Sequence, residues 1–208
     1  MSDGEATVFV VDDDPAVRKA LQRLFRSAGL YVETFAEAQE FLAARRPDTP
    51  GCLVLDLRLP GISGLDLQEN LAAAHLDLPI IFLTGYGTVP ESVRAMKAGA
   101  VEFLEKPVDD QTLLAAVNQA LAGNYQTRQE MSEMTAIERR LAALTPRERQ
   151  VLTLVAAGKL NREIAWDLGT AEKTIKVHRG RVMQKLNCPS LAELVRLAAK
   201  AGIYPPKK

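Results

Sequence analysis

Short apolar runs alternate with amphipathic stretches through the first 122 residues. The runs are Val8–Val11, Tyr31–Phe35, Cys52–Asp56, Ile80–Thr84 and Val101–Leu104. Between them apolar residues recur at helical spacing over 15–28, 36–44, 63–73, 88–98 and 110–121, the second pattern closing near Arg45-Arg46-Pro47. Strands of four to six residues separated by helices of about ten predict βαβ crossovers, and hence a doubly wound, five-stranded parallel sheet with helices on both faces. Residues 123–144 contain no proline and set Met134, Ile137, Leu141 and Leu144 on one seam. That spacing predicts a helical linker, and fits either a short coiled coil or a helix packed on its own domain. From Thr145 onward the punctuation predicts four short helices. Thr145-Pro146-Arg147-Glu148 is a capping box, Gly158 ends the first helix, Asn161 can cap the second, and Gly169 turns the chain into a third over about 171–186. Ser190-Leu191-Ala192-Glu193 opens a fourth, running to about Ala201. Helix, glycine turn, basic helix is the grammar of a helix-turn-helix.

Composition changes this picture in one respect. The 208 residues are 47% hydrophobic and 25% charged, with 26 basic and 26 acidic side chains, an ordinary globular balance that excludes disordered and collagen-like chains. The neutral total hides an asymmetry. Residues 1–122 carry 10 Lys/Arg against 18 Asp/Glu, residues 123–144 carry 3 of each, and residues 145–208 carry 13 against 5. A first part at −8 and a last part at +8 predict two domains with different partners, over 1–122 and 145–208, joined by the linker 123–144. No apolar run reaches the ~18 residues of a membrane span. The N-terminus lacks the basic and apolar regions of a signal peptide. Cys52 and Cys188 stand far apart without metal-ligand spacing, so both are expected to be reduced thiols in a cytoplasmic protein with no membrane partner.

The acidic part carries candidate chemistry at its strand ends. Asp12, Asp13 and Asp14 follow the first strand and Asp56 ends the third. Asp14 precedes Pro15 and suits a helix cap. Neighbouring first and third strands would bring Asp12, Asp13 and Asp56 together, and packed carboxylates repel unless a cation offsets them. Mg²⁺ suits such oxygen ligands. Thr84 closes the fourth strand before Gly85, and Lys106 follows the fifth, so a hydroxyl and an ammonium stand beside the carboxylates as a phosphoryl group requires.

Over residues 5–122 the segments VVDDDP, LVLDLRLPGISG, FLTGYG and EFLEKP resemble the CheY-like receiver domain of two-component response regulators. The strand order of CheY is a standard example of the doubly wound fold. The resemblance implies that Asp56 accepts a phosphoryl group from a sensor histidine kinase. It implies that Asp12, Asp13, Asp56 and the backbone carbonyl of Arg58 bind Mg²⁺, that Thr84 and Lys106 sense the phosphoryl oxygens, and that Phe103 turns inward on activation. It further implies a cis Lys106–Pro107 bond. Val108 departs from the phenylalanine common after this Lys-Pro, and Arg58 and Tyr86 occupy positions that tune phospho-aspartate hydrolysis.

In the basic part, a helix from about Glu172 sets Lys173, Lys176, Val177, Gly180 and Gln184 on one stripe, with Ile175, Val182, Met183 and Leu186 largely opposite. A basic stripe flanked by Thr174, His178, Arg179 and Arg181 suits a helix in a major groove. Over about 142–202 the segments LTPRERQVL, AAGKLNREIAWDLG, EKTIKVHRGRVMQKL and SLAELV resemble the LuxR-type DNA-binding domain of FixJ/NarL regulators. The resemblance implies that Lys176 and Val177 reach base edges while Lys173, Thr174, Arg179 and Arg181 mainly hold phosphates. Ala171 replaces the usual serine cap, leaving Thr170 to serve, and Gly180 lies within the helix.

Together the two resemblances imply a promoter-binding transcription factor, expected to be an activator that contacts RNA polymerase and forms a homodimer on phosphorylation. Candidate pairing faces are Val89, Val93, Met96 and Val101–Phe103 in the first domain, and Leu191, Leu194, Val195, Ala198 and Ala201 on the last helix. Two alternatives stand beside this reading. A phosphatase with Asp56 as nucleophile would want a second aspartate where Arg58 stands. A regulator working through protein contacts alone would have no use for the Asp56, Thr84 and Lys106 set.

Overall fold

The computed structural model describes residues 6–44 and 49–203. The expected close of the second helix at Arg45-Arg46-Pro47 lies outside them. The first half alternates β1 (Thr7–Val11), α1 (Pro15–Ser27), β2 (Tyr31–Phe35), α2 (Ala38–Ala44), β3 (Gly51–Leu55), α3 (Gly64–Ala73), β4 (Ile80–Thr84), α4 (Val89–Lys97) and β5 (Glu102–Glu105). The five strands form one parallel sheet in the order β2-β1-β3-β4-β5. Alternate side chains of each central strand feed two cores, because successive strand residues point to opposite faces. Phe9, Val11, Leu53, Leu55 and Phe82 meet Phe41, Leu67 and Leu71 on one side. Val8, Val10, Cys52, Val54 and Ile81 meet Leu21, Phe25, Leu113 and Val117 on the other. The fifth strand lies one residue beyond the expected Val101–Leu104. Register with β4 pairs Ile81 with Glu102 and Thr84 with Glu105, and an edge strand tolerates the glutamates.

The sheet is followed by α5, a single helix from Asp110 to Ala142. The chain divides into two compact units, 1–128 and 129–208, the division falling inside α5. Within the second unit Ile137, Leu141 and Leu144 are buried in its core with Met134 packed against it, so the seam packs on its own domain. The remaining helices are α6 (Pro146–Ala156), α7 (Asn161–Asp167), α8 (Glu172–Lys185) and α9 (Leu191–Lys200). Thr145 and Glu148 form the expected capping box. At α7 the cap differs from expectation. Leu160 occupies the N-cap position, its N–H donating to Glu163 at 2.7 Å, while Asn161 begins the helix and accepts from Arg179 at 3.2 Å. Among the described residues no helix is long and apolar enough to cross a membrane. Cys52 and Cys188 are free and buried, and burial pushes the Cys52 thiol up to about 12.

Candidate functional site

The sheet brings Asp12, Asp56, Thr84 and Lys106 to one edge, because each follows or closes a parallel strand ending on that side. Lys106 Nζ donates to Asp12 Oδ2 at 2.6 Å and to Asp56 Oδ2 at 2.7 Å, so one ammonium spans residues 94 and 50 apart in sequence. The other carboxylate oxygens take main-chain donors: Asp14 N–H on Asp12 Oδ1 at 2.9 Å, and Arg58 N–H on Asp56 Oδ1 at 3.1 Å. Thr84 is buried, and its Oγ1 accepts from Tyr86 N–H at 3.3 Å. The Lys106–Pro107 bond is cis.

Burial is the main force on the Asp12 carboxyl and pushes it above its usual range, against the pull of Lys106 and the Asp14 N–H. Burial also acts on Lys106, drawing its ammonium down, but the hydrogen bonds to Asp12 and Asp56 outweigh it and hold the ammonium above the ordinary lysine value. The asymmetry follows depth, since the Asp12 side chain is 3% exposed and that of Lys106 23%. One lysine thus leaves the acidic edge short of positive charge. Asp12, Asp13 and Asp56 each place a carboxylate oxygen within 4.8 Å of the others, with Asp13 open to solvent. An all-oxygen cluster with a solvent-facing side fits a small hard cation that retains water ligands, so this acidic pocket is of the kind that binds divalent metal.

Further residues shape this edge and the sheet behind it, and of these Arg18 and Asn124 lie outside the quoted motifs. Arg18, on the first turn of α1, donates from Nη1 to the main-chain oxygen of Asp12 at 2.6 Å. Gly64 lies so close that a Cβ there would stand 2.3 Å from the Asp56 carbonyl oxygen. A Cβ on Gly87 would fall 2.7 Å from the ring of Phe103. Phe103 itself is half-buried, its ring centroid 5.8 Å from that of Phe82. Gly85 has open space around it, as its place beside Thr84 suggests. On the sheet's opposite end buried Asn124 accepts from Gly51 N–H at 3.1 Å and donates to the Asp77 carbonyl at 3.2 Å, tying α5 to the start of β3 and to the loop before β4.

The second candidate surface is α8. Lys173, Thr174, Lys176, Val177 and Arg181 are exposed, while Ile175, Val182 and Leu186 are buried and Met183 is half-buried against the same core. Lys176 meets Glu172 at 3.3 Å, an exposed i,i+4 pair worth little and easily exchanged for another anion. His178 and Arg179 are half-buried, so their presentation is less complete than the stripe implies. Arg179 is already engaged with Asn161 on α7. Ala171 stands at the N-cap without a side-chain bond, and the Thr170 N–H instead closes the preceding turn on the Ala165 carbonyl. A Cβ on Gly180 would meet nothing within 4 Å, so packing inside the domain does not require glycine there. Beneath α8, Lys185 reaches buried Glu148 at 2.7 Å.

The pairing faces need correction. Val89, Val93 and Met96 are exposed on α4, as are Leu191 and Val195 on α9. Leu194 and Ala198, however, are 1% and 0% exposed in the core of the second unit, and cannot also face another molecule. The helix turns those two positions inward because a small domain has one core and α9 must help fill it.

Comparison with known proteins matches residues 8–118 to the response regulator receiver domain and residues 142–198 to the luxR family of bacterial regulatory proteins. Nodulation protein W of Bradyrhizobium diazoefficiens is 48% identical over 199 residues, covering 96% of this chain and 88% of that protein. Transcriptional regulatory protein FixJ of Azorhizobium caulinodans is 44% identical, covering 95% of this chain and 94% of that protein. Among solved structures, the response regulator StyR superposes with a TM-score of 0.88 at 53% identity, covering 95% of this chain and all of that one. Full-length FixJ from B. japonicum gives 0.59 at 42% identity, covering 95% and 98%.

Proposed function

We propose that this chain, which belongs to the FixJ-like two-component response regulators, is switched by a phosphoryl group on Asp56 and reads promoter DNA through α8. Family membership makes it a DNA-binding transcriptional regulator rather than an enzyme, with a sensor kinase as its partner. The observation that carries the phosphoacceptor reading is the Lys106 ammonium held at 2.7 Å from Asp56 beside a second buried carboxylate.

In the proposed step an Asp56 oxygen attacks the phosphorus of the kinase phosphohistidine. A P–O bond forms, the P–N bond breaks, and the electron pair leaves with the imidazole. Mg²⁺ held by Asp12, Asp13, Asp56 and the Arg58 carbonyl would supply charge neutralisation for the phosphoryl oxygens. Lys106 then exchanges its carboxylate contact on Asp56 for a phosphoryl oxygen. Thr84, whose hydroxyl oxygen accepts from Tyr86, has its hydroxyl hydrogen free to donate to the same group. Drawing Thr84 inward frees space for Phe103 and reshapes the α4–β5 face around Val89, Val93 and Met96. Two copies would pair there, and through Leu191 and Val195 on DNA, where linkage raises effective concentration. The regulator would act in the cytoplasm as an activator contacting RNA polymerase.

Incubation with acetyl phosphate and Mg²⁺ is expected to add one phosphate, and Asp56→Asn to abolish it; undiminished labelling of that variant would place the acceptor elsewhere. Sedimentation with beryllofluoride is expected to convert a monomer to a dimer. The same mass in both states would remove pairing from the switch.

A further inference from the structure

We infer that Arg18 is a positioning residue of the phosphoacceptor site, holding the β1–α1 turn so that the carboxylates of Asp12 and Asp13 converge on Asp56. The inference rests on the reading of that edge as a divalent-cation and phosphoryl site. The sheet ladder on β1 continues as far as the Asp12 N–H, which donates to the Phe35 carbonyl at 3.2 Å, and the Val11 carbonyl, which accepts from Asp56 N–H at 2.9 Å. The Asp12 carbonyl is the first group beyond it, and the donor it receives is the guanidinium of Arg18 at 2.6 Å. A charge-assisted bond of that length fixes the peptide plane between Asp12 and Asp13, and with it the direction in which the Asp13 side chain leaves the backbone. The rest of the turn is tied in the same way. Asp12 Oδ1 accepts from Asp14 N–H, Asp14 Oδ1 from Ala16 N–H at 2.7 Å, and the Asp14 carbonyl from Arg18 N–H at 3.0 Å. The Arg18 side chain thus holds the Asp12 end of the turn, while the Asp14 end is held by the first main-chain bond of α1, which does not depend on the side chain at position 18.

Two consequences of removing Arg18 oppose each other, which makes the inference testable in sign. Deleting a cation beside the carboxylates strengthens cation binding by removing repulsion. Releasing the turn weakens it, because a carboxylate set that must be ordered on binding gives up affinity. The 2.6 Å side-chain bond, made to the carbonyl that joins the two aspartates, says the second effect dominates.

The test is Mg²⁺ titration of the full chain by calorimetry for wild type, Arg18→Ala and Arg18→Lys, alongside the Mg²⁺ concentration giving half-maximal labelling by acetyl phosphate. Arg18→Ala is expected to bind Mg²⁺ at least about tenfold more weakly, the scale seen when groups that orient metal ligands are lost. Half-maximal labelling is expected to shift in the same proportion. Arg18→Lys keeps a cationic donor and is expected to recover most of the loss, which guards against a variant that merely unfolds. Affinity in Arg18→Ala equal to or tighter than wild type would overturn the positioning role. Failure of the wild type to bind Mg²⁺ at all would instead overturn the reading of the site itself.

Discussion

Asp12, Asp56, Thr84 and Lys106 come from four segments and meet because parallel strands end at one edge, whereas Lys173, Thr174, Lys176, Val177 and Arg181 come from two turns of a single helix and point into solvent. In the receiver the residues hold one another: one lysine serves two carboxylates, and an arginine holds the turn beneath them. On α8 each side chain is held mainly by the helix it grows from. The receiver site is a network whose members cannot be changed independently, while the helix is a row of separable contacts resting on a core. The supporting layers differ as well. The receiver sheet has a core on each face, but the second unit has one, shared among the end of α5 and α6 to α9.

The largest effect that would sharpen this contrast follows from that single core. Leu194→Ala is expected to cost the second unit about 2–5 kcal/mol, as large-to-small changes at buried sites do. Leu191→Ala, four-tenths exposed on the same helix, is expected to stay within about 0.5 kcal/mol while weakening the DNA-bound pair. Scanning calorimetry of the full chain separates the units by which transition moves. Equal effects of the two variants would mean that α9 is not seated as described.

These neighbours on α9 also show where sequence reasoning reached its limit. Apolar residues at 191, 194, 195, 198 and 201 share one arc of about 120°, and periodicity alone does not say how much of that arc the core takes and how much stays exposed. The phosphoacceptor edge was legible for the opposite reason. Strand ends are marked by a change from apolar run to Asp, Thr or Lys, and the strand order then fixes which ends are neighbours. Arg18 was not legible, because its partner is a main-chain oxygen and no spacing rule marks that contact. Asn161 misled through its good capping propensity; the structure spends it on Arg179 and lets Glu163 serve the Leu160 N–H. The continuity of α5 was half legible, since nothing between 110 and 142 interrupts a helix, but which unit each half joins depends on contacts made elsewhere.

A second, smaller effect tests whether the contacts on α8 are separable. Lys176→Ala is expected to weaken binding to the cognate operator by about 1–3 kcal/mol, with little loss on unrelated DNA, as a base contact requires. Arg181→Ala is expected to weaken both alike and reduce the salt slope by about 1 if it holds a phosphate. The double variant is expected to show the sum of the two. Strong non-additivity on operator DNA would make α8 a network like the receiver edge, and the contrast would fail.

The smallest effect concerns a place where the second unit does contain a network. Glu148 is buried, accepts from Lys185 at 2.7 Å and caps Thr145 at 2.8 Å. The Lys185 ammonium first, and the Thr145 N–H after it, lower its carboxyl from 4.5 to about 2. A folded-state value below the unfolded one means stabilisation that is complete above about pH 4.5 and fades as pH falls toward 2. Glu148→Gln keeps an oxygen for the cap and removes the charge, and Lys185 retains the Ala143 carbonyl at 3.1 Å. The variant is therefore expected to lose only about 1–2 kcal/mol at pH 7, less than an unpaired buried charge would cost. Urea unfolding followed by circular dichroism at pH 7 and pH 3 is expected to show the difference from wild type shrinking on acidification, because the wild type approaches the neutral form the variant already has. A difference that stays constant with pH would mean that the pair contributes shape rather than charge. The separability of the helix would then rest on packing alone.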